Sequence, residues 1–224
     1  MSKCKLIIFS DIHYLDKRPE ELDFNLTRKL TQYSVKIIEK LIDKINEEIP
    51  DVSICLGDLI EDTFNHDKDI INYTYIWNKL KNIQTPFYSV IGNHDLRTMS
   101  SRKELEKIMD YKNATFSFDL NGYHFIILTT DIREDLGGND GGIYKAQCMS
   151  EKEIKEIIKS DNNVIAIFNG HQHWNKQLIE DGKNYYVVGS LTDNIDMLGV
   201  PEGIYLEVEL EDREIRIQEK HIEI

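Results

Sequence analysis

The stretch "LIIFSDIH" (residues 6–13) decides the fold of this chain. Its apolar run has the composition of a buried strand and stops at the small residue Ser10. Asp11 and His13 follow at once, and both side chains are common metal ligands. The same order of apolar run, small residue and polar side chains recurs in "SICLGDLIED" (53–62), "YSVIGNHD" (88–95) and "IAIFNGHQH" (165–173). Four such strand ends predict one sheet edge that carries the chemistry.

The segments between the first three strands predict helices. Apolar residues recur every three to four positions from Leu26 to Ile49, and Pro50 ends that pattern. A second helical pattern covers residues 69–83, and a short one covers residues 101–109. Strands that alternate with helices in this way predict right-handed crossovers and a parallel sheet.

The second half of the chain predicts antiparallel pairing. Three pairs of strand-like runs turn at Asn121–Gly122, at Asp181–Gly182 and near Asp212. Asn-Gly and Asp-Gly are favoured two-residue turns of hairpins. We therefore expect an α/β fold with a parallel-rich N-terminal half and an antiparallel C-terminal half. Its two sheets would pack face to face, with helices outside.

Length and composition predict a single domain that spans residues 1–224. A chain of 224 residues, 41% of them hydrophobic, is long enough for one sizeable core. It has no run of the about 18 apolar residues that a membrane span needs, and its first residues lack a signal-peptide pattern. The cysteines are odd in number (Cys4, Cys55 and Cys148), so we expect free thiols and a cytoplasmic location.

The charge of the chain limits the class of partner. The formal net charge is -13, whereas a surface that follows a nucleic-acid backbone is basic. We therefore expect neither an extended nucleic-acid surface nor a membrane as partner. A small phosphorylated substrate is compatible with the charge, because bound cations reverse the local field.

The polar residues at the four strand ends are candidate metal ligands. In an open α/β sheet, ligands bind beyond the carboxyl ends of the parallel strands. Each motif alone has a plain structural explanation as a strand end, a turn or a helix cap, but the four together point to a shared site. Mixed carboxylate, amide and imidazole ligands suit Mn, Fe, Zn or Co better than calcium. The residues that would converge are Asp11, His13, Asp58, Asn93, His94, His171 and His173.

These motifs resemble those of the calcineurin-like metallophosphoesterases. The family patterns D-x-H, G-D, G-N-H-[DE] and G-H-x-H stand here at residues 11–13, 57–58, 92–95 and 170–173. The resemblance runs from residue 6 to about residue 191 and implies a four-layer α/β/β/α sandwich. It also implies two divalent metal ions and hydrolysis of a phosphomonoester, phosphodiester or pyrophosphate through a metal-bound hydroxide.

The resemblance implies a role for each motif residue. Asp11, His13 and His173 would hold one metal ion, and Asn93 and His171 the other, with Asp58 bridging the two. His94 would contact the substrate phosphate or protonate the leaving group. Asp95 would orient the imidazole of His94, as carboxylates commonly do for catalytic histidines.

One family motif is missing from the chain. The family has a further strand that ends in a histidine and supplies a ligand to the second metal ion. No histidine lies between His124 and His171, so the second ion would keep Asp58, Asn93 and His171 only. Asp131, at the end of the run "FIILTTD", is the first candidate replacement, and hydrogen bonding within its loop is the alternative.

The missing histidine leaves a second interpretation open. The chain would then be a non-catalytic or weakly active descendant of the fold that acts as a binding or scaffold module. The intact pair His94–Asp95 favours the enzyme instead. Cationic side chains that would rim the site, either as phosphate contacts or as solvated groups, are Arg97, Arg102, Arg133 and Lys145. His66 would reach the rim or be solvated, and Tyr14 would stack on a base or sugar or pack under the motif loops. Glu61 and Asp62 would support the ligands from behind or be solvated.

Overall fold

A central five-stranded sheet organises the fold. In a computed structural model of the protein, the described residues are 2–16, 29–129, 151–194 and 199–224. The sheet has the strand order β10-β9-β1-β2-β3. Its strands are β1 (Lys3–Phe9), β2 (Val52–Cys55), β3 (Phe87–Ser89), β9 (Ile204–Glu211) and β10 (Glu214–His221).

The remaining strands form a two-stranded and a three-stranded sheet, with strand orders β4-β5 and β6-β8-β7. Their bounds are β4 (Phe116–Leu120), β5 (Tyr123–Ile127), β6 (Ala166–Asn169), β7 (Lys176–Glu180) and β8 (Lys183–Val187). The three predicted hairpins are confirmed, because β4–β5, β7–β8 and β9–β10 each pair antiparallel. Local turn chemistry therefore fixed these pairings.

The first sheet is mixed in a way that no local pattern indicated. β1 pairs parallel with β2 and antiparallel with β9, which comes almost two hundred residues later. The C-terminal hairpin thus joins the N-terminal strands. In the other half, β6 and β8 pair parallel. The mixed α/β class is confirmed, and the two halves of the chain share a sheet.

The helices are α1 (Ser34–Glu48), α2 (His66–Leu80), α3 (Asn93–Leu96), α4 (Arg102–Met109) and α5 (Glu151–Ser160). The second and fourth helices lie close to the predicted positions, but the predicted start of the first at Leu26 is wrong, because Lys29 forms a β-bridge with Asp193 and α1 begins only at Ser34. A short 3-10 helix precedes α1, and residues 26–28 of the predicted helix lie outside the described residues. α2 begins three residues early because the side chain of Asn65 accepts the backbone N–H of Lys68 as a cap.

Alternating residues of β1 build two cores. Ile7 and Phe9 pack on the side of α1 and α2, whereas Leu6 and Ile8 pack on the side that includes Tyr123 and Val188. Because successive side chains of a strand point to opposite faces, β1 lies between helices on one face and strands on the other. Burying one such side chain contributes about 1.5–3 kcal/mol.

The segments that follow β1 and β2 run side by side at the carboxyl edge of the sheet. The backbone N–H of Asp11 donates to the carbonyl of Gly57 (3.1 Å), and that of His13 donates to the carbonyl of Asp58 (3.0 Å). On the other side, the N–H of Leu191 donates to the carbonyl of Ser10 (3.1 Å). The motif residues therefore stand on a backbone that three segments fix. Among the described residues, no helix is long and apolar enough to cross a membrane.

Candidate metal centre

The motif loops hold an unusual backbone conformation. Non-glycine residues with positive φ are uncommon, and each costs roughly 1–2 kcal/mol. Several motif residues share this conformation: Asp11 (φ 56), His13 (φ 47), Asp58 (φ 52), His171 (φ 75) and His173 (φ 66). Strained residues of this kind cluster at active and binding sites, where the surrounding structure enforces them. The strain thus points to the same edge of the sheet as the motifs.

Two motif glycines allow the loops to approach the acidic side chains closely. A Cβ on Gly92 would lie 2.2 Å from Oδ1 of Asp58. A Cβ on Gly170 would lie 2.8 Å from Oδ2 of Asp11 and 2.0 Å from Oγ of Ser10. No side chain fits at these distances. The glycines therefore bring the backbone against the two carboxylates.

Asp11, His13 and His173 form one compact group, and all three are largely buried. The Nε2 atoms of the two histidines are 3.1 Å apart. Oδ1 of Asp11 lies 3.2 Å from Nε2 of His173 and 3.7 Å from Nε2 of His13. Two ligand atoms at right angles on an ion with bonds of about 2.1 Å lie about 3 Å apart. The spacing of the three atoms therefore fits a small divalent cation.

The hydrogen bonds of Asp11 leave one of its oxygens for such a cation. Oδ2 accepts from the hydroxyl of Ser10 and from the backbone N–H of His171 (3.0 Å). Oδ1 is buried and makes no hydrogen bond of acceptable geometry within the described part of the chain. A buried carboxylate oxygen in this state has lost its water without gaining a donor, which is costly. A metal ion would supply the missing partner.

Carboxylates set the orientation of both imidazoles. Nδ1 of His173 donates to Oδ2 of Asp193 (2.7 Å), and Nδ1 of His13 lies 2.8 Å from Oε2 of Glu61. Only His173 makes a hydrogen bond of acceptable geometry at Nδ1 in the described part of the chain, whereas Glu61 faces Nδ1 of His13 without one. The Nε2 atoms of the two rings face each other at 3.1 Å. This requires a positive charge between them, either a proton or a metal ion. Metal-binding histidines commonly carry such a carboxylate on the far nitrogen.

The titration of these groups reflects the same cluster of opposite charges. Burial opposes ionisation of Asp11, yet His13 and His173 hold the pKa of Asp11 well below its usual range. Burial also opposes the charged form of His173, but Asp11 and Asp193 outweigh it and raise the pKa of His173 to about 10. Without a cation, a proton occupies the place between the ligands. Metal binding must displace that proton.

His94 is oriented by a different carboxylate from the one expected. Its Nδ1 lies 2.7 Å from Oδ2 of Asp62, and Arg97 contacts the same oxygen at 3.2 Å. Asp95 instead accepts the backbone N–H groups of Gly92 (2.8 Å) and Ile60 (3.2 Å). The expectation that Asp95 orients His94 is therefore wrong, because the helical turn that starts at Gly92 points this carboxylate back at its own N-terminus.

Asp95 and Asp58 are neighbouring buried carboxylates. Burial and the charge of Asp58 raise the pKa of Asp95 to about 7. Oδ1 of Asp58 accepts the backbone N–H of His94 (2.8 Å), which ties the Gly-Asp motif to the start of α3. Asp58 thereby lies among the motif loops, and its bridging of two ions stays a prediction.

Asn93 and His171 meet in the second part of the centre. Oδ1 of Asn93 lies 3.0 Å from Nδ1 of His171, a spacing that is also compatible with a shared ion. Neither side chain is a carboxylate, and His171 is exposed. The chain leads from α5 directly into β6 within the described residues, so no additional strand separates them. Asp131, the candidate replacement ligand, lies outside the described residues, as do Arg133 and Lys145.

The other rim candidates have structural partners. His66 contacts Glu104 at 2.6 Å, and Arg102 lies 4.0 Å from Glu106. Tyr14 stacks on the ring of Tyr75 at 4.9 Å between centroids. These contacts give the side chains structural roles beside the centre and not the role of a ligand.

Sequence reasoning missed two charged residues at the centre, Asp193 and Lys29. Asp193 follows a strand and Gly189–Ser190, the same pattern of apolar run, small residues and acidic residue seen at the other strand ends. That signal was available. Lys29 has no comparable pattern, and its place depends on long-range contacts.

Comparison with known proteins agrees with this geometry. A probable cyclic nucleotide phosphodiesterase of Xenorhabdus bovienii is 26% identical over 167 residues, which are 75% of this chain and 62% of that protein. The chain thus spans less than two thirds of the length of this relative. Among solved structures, a dimetal phosphatase from Danio rerio is similar with a TM-score of 0.72 and 12% identity, over 96% of this chain and 95% of that one. An archaeal phosphodiesterase is similar with a TM-score of 0.52 and 15% identity, over 96% and 99%.

The family follows from a match to most of the chain. The model of the calcineurin-like phosphoesterases, a family of dinuclear metal-dependent phosphoester hydrolases, matches residues 4–175 and includes all four motifs. The two structural similarities support the fold. The chain belongs to the calcineurin-like phosphoesterase family.

Proposed function

We propose that this protein is a metal-dependent phosphoesterase that hydrolyses a small phosphorylated substrate. The observation that carries the proposal is the compact group of Asp11, His13 and His173, in which three ligand atoms converge beside the imidazole of His94. Family membership alone would be compatible with a scaffold. A preformed cation site next to a carboxylate-backed histidine favours an enzyme.

The residues divide into two ligand groups. Asp11, His13 and His173 would hold the first divalent ion, and Asn93 and His171 the second, with Asp58 bridging. Mn, Fe, Zn and Co suit this mixture of oxygen and nitrogen donors. Bound there, the ions would activate a water molecule and neutralise charge that develops on the phosphoryl group.

His94 would act on the substrate. Its ring packs edge-on to that of His13, with 4.9 Å between the centroids, so it lies next to the first group without belonging to it. Asp62 holds Nδ1, and this leaves Nε2 as the atom that faces a ligand. In this role Nε2 would contact a phosphate oxygen or deliver a proton to the leaving group. Proton transfer of this kind contributes typically 10²–10⁴-fold to the rate.

A phosphodiester of nucleotide size is the substrate class that we favour. The name of the Xenorhabdus relative supports a cyclic nucleotide, and a net charge of -13 disfavours a long nucleic-acid strand. A cytoplasmic location fits the free, buried thiols of Cys4 and Cys55.

A binding or scaffold role is the second candidate. The observation in its favour is the second ligand group, in which Asn93 and His171 bring no carboxylate and are partly or fully exposed. A module of this kind would keep the first ion and bind its partner without turnover.

Hydrolysis of bis(p-nitrophenyl) phosphate with added Mn²⁺ separates the two candidates. The enzyme shows turnover that a chelator removes and Mn²⁺ restores. His94→Ala should lower that rate by about 10²–10⁴-fold. His124→Ala is the matched control, because His124 is exposed on β5 and pairs with Asp119. Bound metal without turnover in the parent protein would favour the scaffold. Parallel assays with p-nitrophenyl phosphate and cyclic AMP then define the substrate class.

A further inference from the structure

The ammonium group of Lys29 contacts His94 directly and shares Glu61 with His13. These two histidines serve different roles. The Nζ atom of Lys29 donates to Oε2 of Glu61 at 2.7 Å and lies 3.1 Å from Nε2 of His94. The same oxygen of Glu61 lies 2.8 Å from Nδ1 of His13. Lys29 therefore contacts the atom of His94 that would meet a substrate, and it does so from the side of the first ligand group.

The backbone keeps this lysine in place. Lys29 forms an antiparallel bridge with Asp193, and the N–H of Leu30 donates to the carbonyl of Thr192 (2.9 Å). Asp193 is the carboxylate that orients His173. The side chain of Lys29 is 22% exposed, so its ammonium is partly withdrawn from solvent. A surface lysine that only solvates the chain has neither an anchored backbone nor a buried partner.

Carboxylates outnumber cations around Lys29, where Arg97 contacts Asp62 at 3.2 Å. Asp11, Asp58, Glu61, Asp62 and Asp193 are all largely buried around the two histidines. An anionic substrate that approaches His94 meets this negative field. A fixed cation within 3.1 Å of Nε2 reverses the field at the point where a phosphate oxygen would arrive.

We propose that Lys29 is a phosphate-binding residue, whose ammonium holds a non-reacting oxygen of the substrate beside His94. The inference rests on the proposed function and deepens it. A phosphate oxygen placed between Nζ and Nε2 exchanges the contact between Lys29 and His94 for two contacts with the anion, in which both nitrogens donate and Nε2 carries a proton taken from solvent. A charge-assisted hydrogen bond from an ammonium to phosphate is among the stronger polar contacts in proteins.

The proposal also describes how the site compensates for the small number of metal ligands in the second group. This group lacks the histidine that the family pattern supplies, and Asn93 and His171 add no carboxylate. The ammonium of Lys29, 3.1 Å from Nε2 of His94, supplies positive charge from the protein itself. The substrate phosphate would then be held between a metal ion and Lys29.

A structural role through Glu61 is the competing explanation. In that case Lys29 would only hold the carboxylate that lies against His13, and its loss would weaken the first ion rather than the phosphate. The two roles differ in what they bind, so metal content and phosphate affinity distinguish them.

The test measures binding of inorganic phosphate to the metal-loaded protein by calorimetry, together with metal content. Lys29→Met keeps the aliphatic stem and removes the charge, and Lys29→Gln is a second neutral variant in case the first does not fold. Both should weaken phosphate binding by about 10–100-fold and leave the metal content unchanged. Lys29→Arg should retain part of the affinity. Lys79→Met is the matched control, since Lys79 pairs with Glu39 on the surface.

The outcomes separate this inference from the proposed function. Phosphate affinity that is unchanged in the neutral variants, or lost in proportion to metal, overturns the inference even if the parent protein hydrolyses substrate. Phosphate binding that depends on Lys29, in a parent without turnover, supports the inference and overturns the proposed function. With a working enzyme, the neutral variants should raise KM for bis(p-nitrophenyl) phosphate more than they lower kcat. A parent that binds no phosphate overturns both.

Discussion

The two ligand groups of the centre differ in burial and in charge. Asp11, His13 and His173 are buried, carry a carboxylate and have further carboxylates behind both imidazoles. Asn93 and His171 meet near the surface, and neither is a carboxylate. A cation in the first group replaces a proton in a site that is already formed. In the second group it must also gain its charge balance from Asp58 or from the substrate, which predicts one tight ion and one weak ion.

The largest expected effect comes from removing the charge of the first group. Asp11→Asn should abolish binding of the tight ion and reduce turnover to background, because Oδ1 is the anionic atom that faces both Nε2 atoms. Elemental analysis of protein purified without chelators measures the loss. Asn93→Ala is the matched variant of the second group and should remove only the weak ion. If Asp11→Asn retained the tight ion, the assignment of the two groups would be wrong.

A smaller effect is expected from the carboxylate behind His173. Asp193→Asn should weaken the tight ion by about 10–100-fold, because the amide no longer fixes the imidazole or raises its basicity. Competition with a metal chelator gives the affinity. Asp119→Asn serves as control, since Asp119 contacts the exposed His124. Equal affinities in the two variants would show that Asp193 has no influence on the ion.

The pH dependence should follow from the proton that the ion displaces. Without metal, the pKa of His173 is raised to about 10, so this proton is bound at neutral pH. Affinity for the tight ion should therefore fall as pH falls, by about tenfold per unit for each proton released. In the metal-free protein, the free energy of unfolding changes with pH in the opposite direction to the metal affinity. The raised pKa stabilises the fold fully below the ordinary value of about 6.5, and this contribution is lost as pH rises through about 10.

Titration calorimetry in buffers of different ionisation enthalpy counts the released protons. Thermal unfolding of the metal-free protein between pH 6 and pH 10 checks the sign of the stability term. An affinity that does not change with pH would show that the ligands are already deprotonated before the ion binds.

The smallest expected effect concerns the glycine against Asp11. Gly170→Ala should destabilise the fold by about 1–3 kcal/mol, because its Cβ would overlap Ser10 and displace Asp11. Gly182→Ala, in a hairpin turn with φ +73 and open space around it, should cost only about 1 kcal/mol. Urea unfolding of both variants measures the difference. A normal metal affinity in Gly170→Ala would mean that Asp11 tolerates the shift.

Local sequence signals predicted most of the elements and the motif residues. Asn121–Gly122, Asp181–Gly182 and Asp212 mark the three hairpin turns, since turn residues act over a few positions. The strand-end pattern predicted that Asp11, His13 and His173 lie together, and in the structure they form one group. These inferences needed only periodicity and residue type.

The remaining features depend on contacts between distant parts of the chain. The pairing of β1 with β9 has no local signal, because both strands read as ordinary alternating or apolar runs. The choice of Asp62 over Asp95 as partner of His94 depends on which way a four-residue helix turns. Lys29 reaches His94 only because Asp193 pairs with its backbone. Sequence patterns identify ligands more easily than the residues that surround them.

The position of β1 between β2 and β9 has a consequence for synthesis. At about 5–20 residues per second, roughly 10–40 s pass between the emergence of the end of β1 and that of the start of β9. During this time one edge of β1, a row of unpaired backbone N–H and C=O groups, has no strand partner, which exposes the nascent chain to aggregation. Asp193 lies shortly before β9 in the sequence, so the metal centre and that edge of β1 are completed at nearly the same time. Metal supply during translation would then affect yield as well as activity.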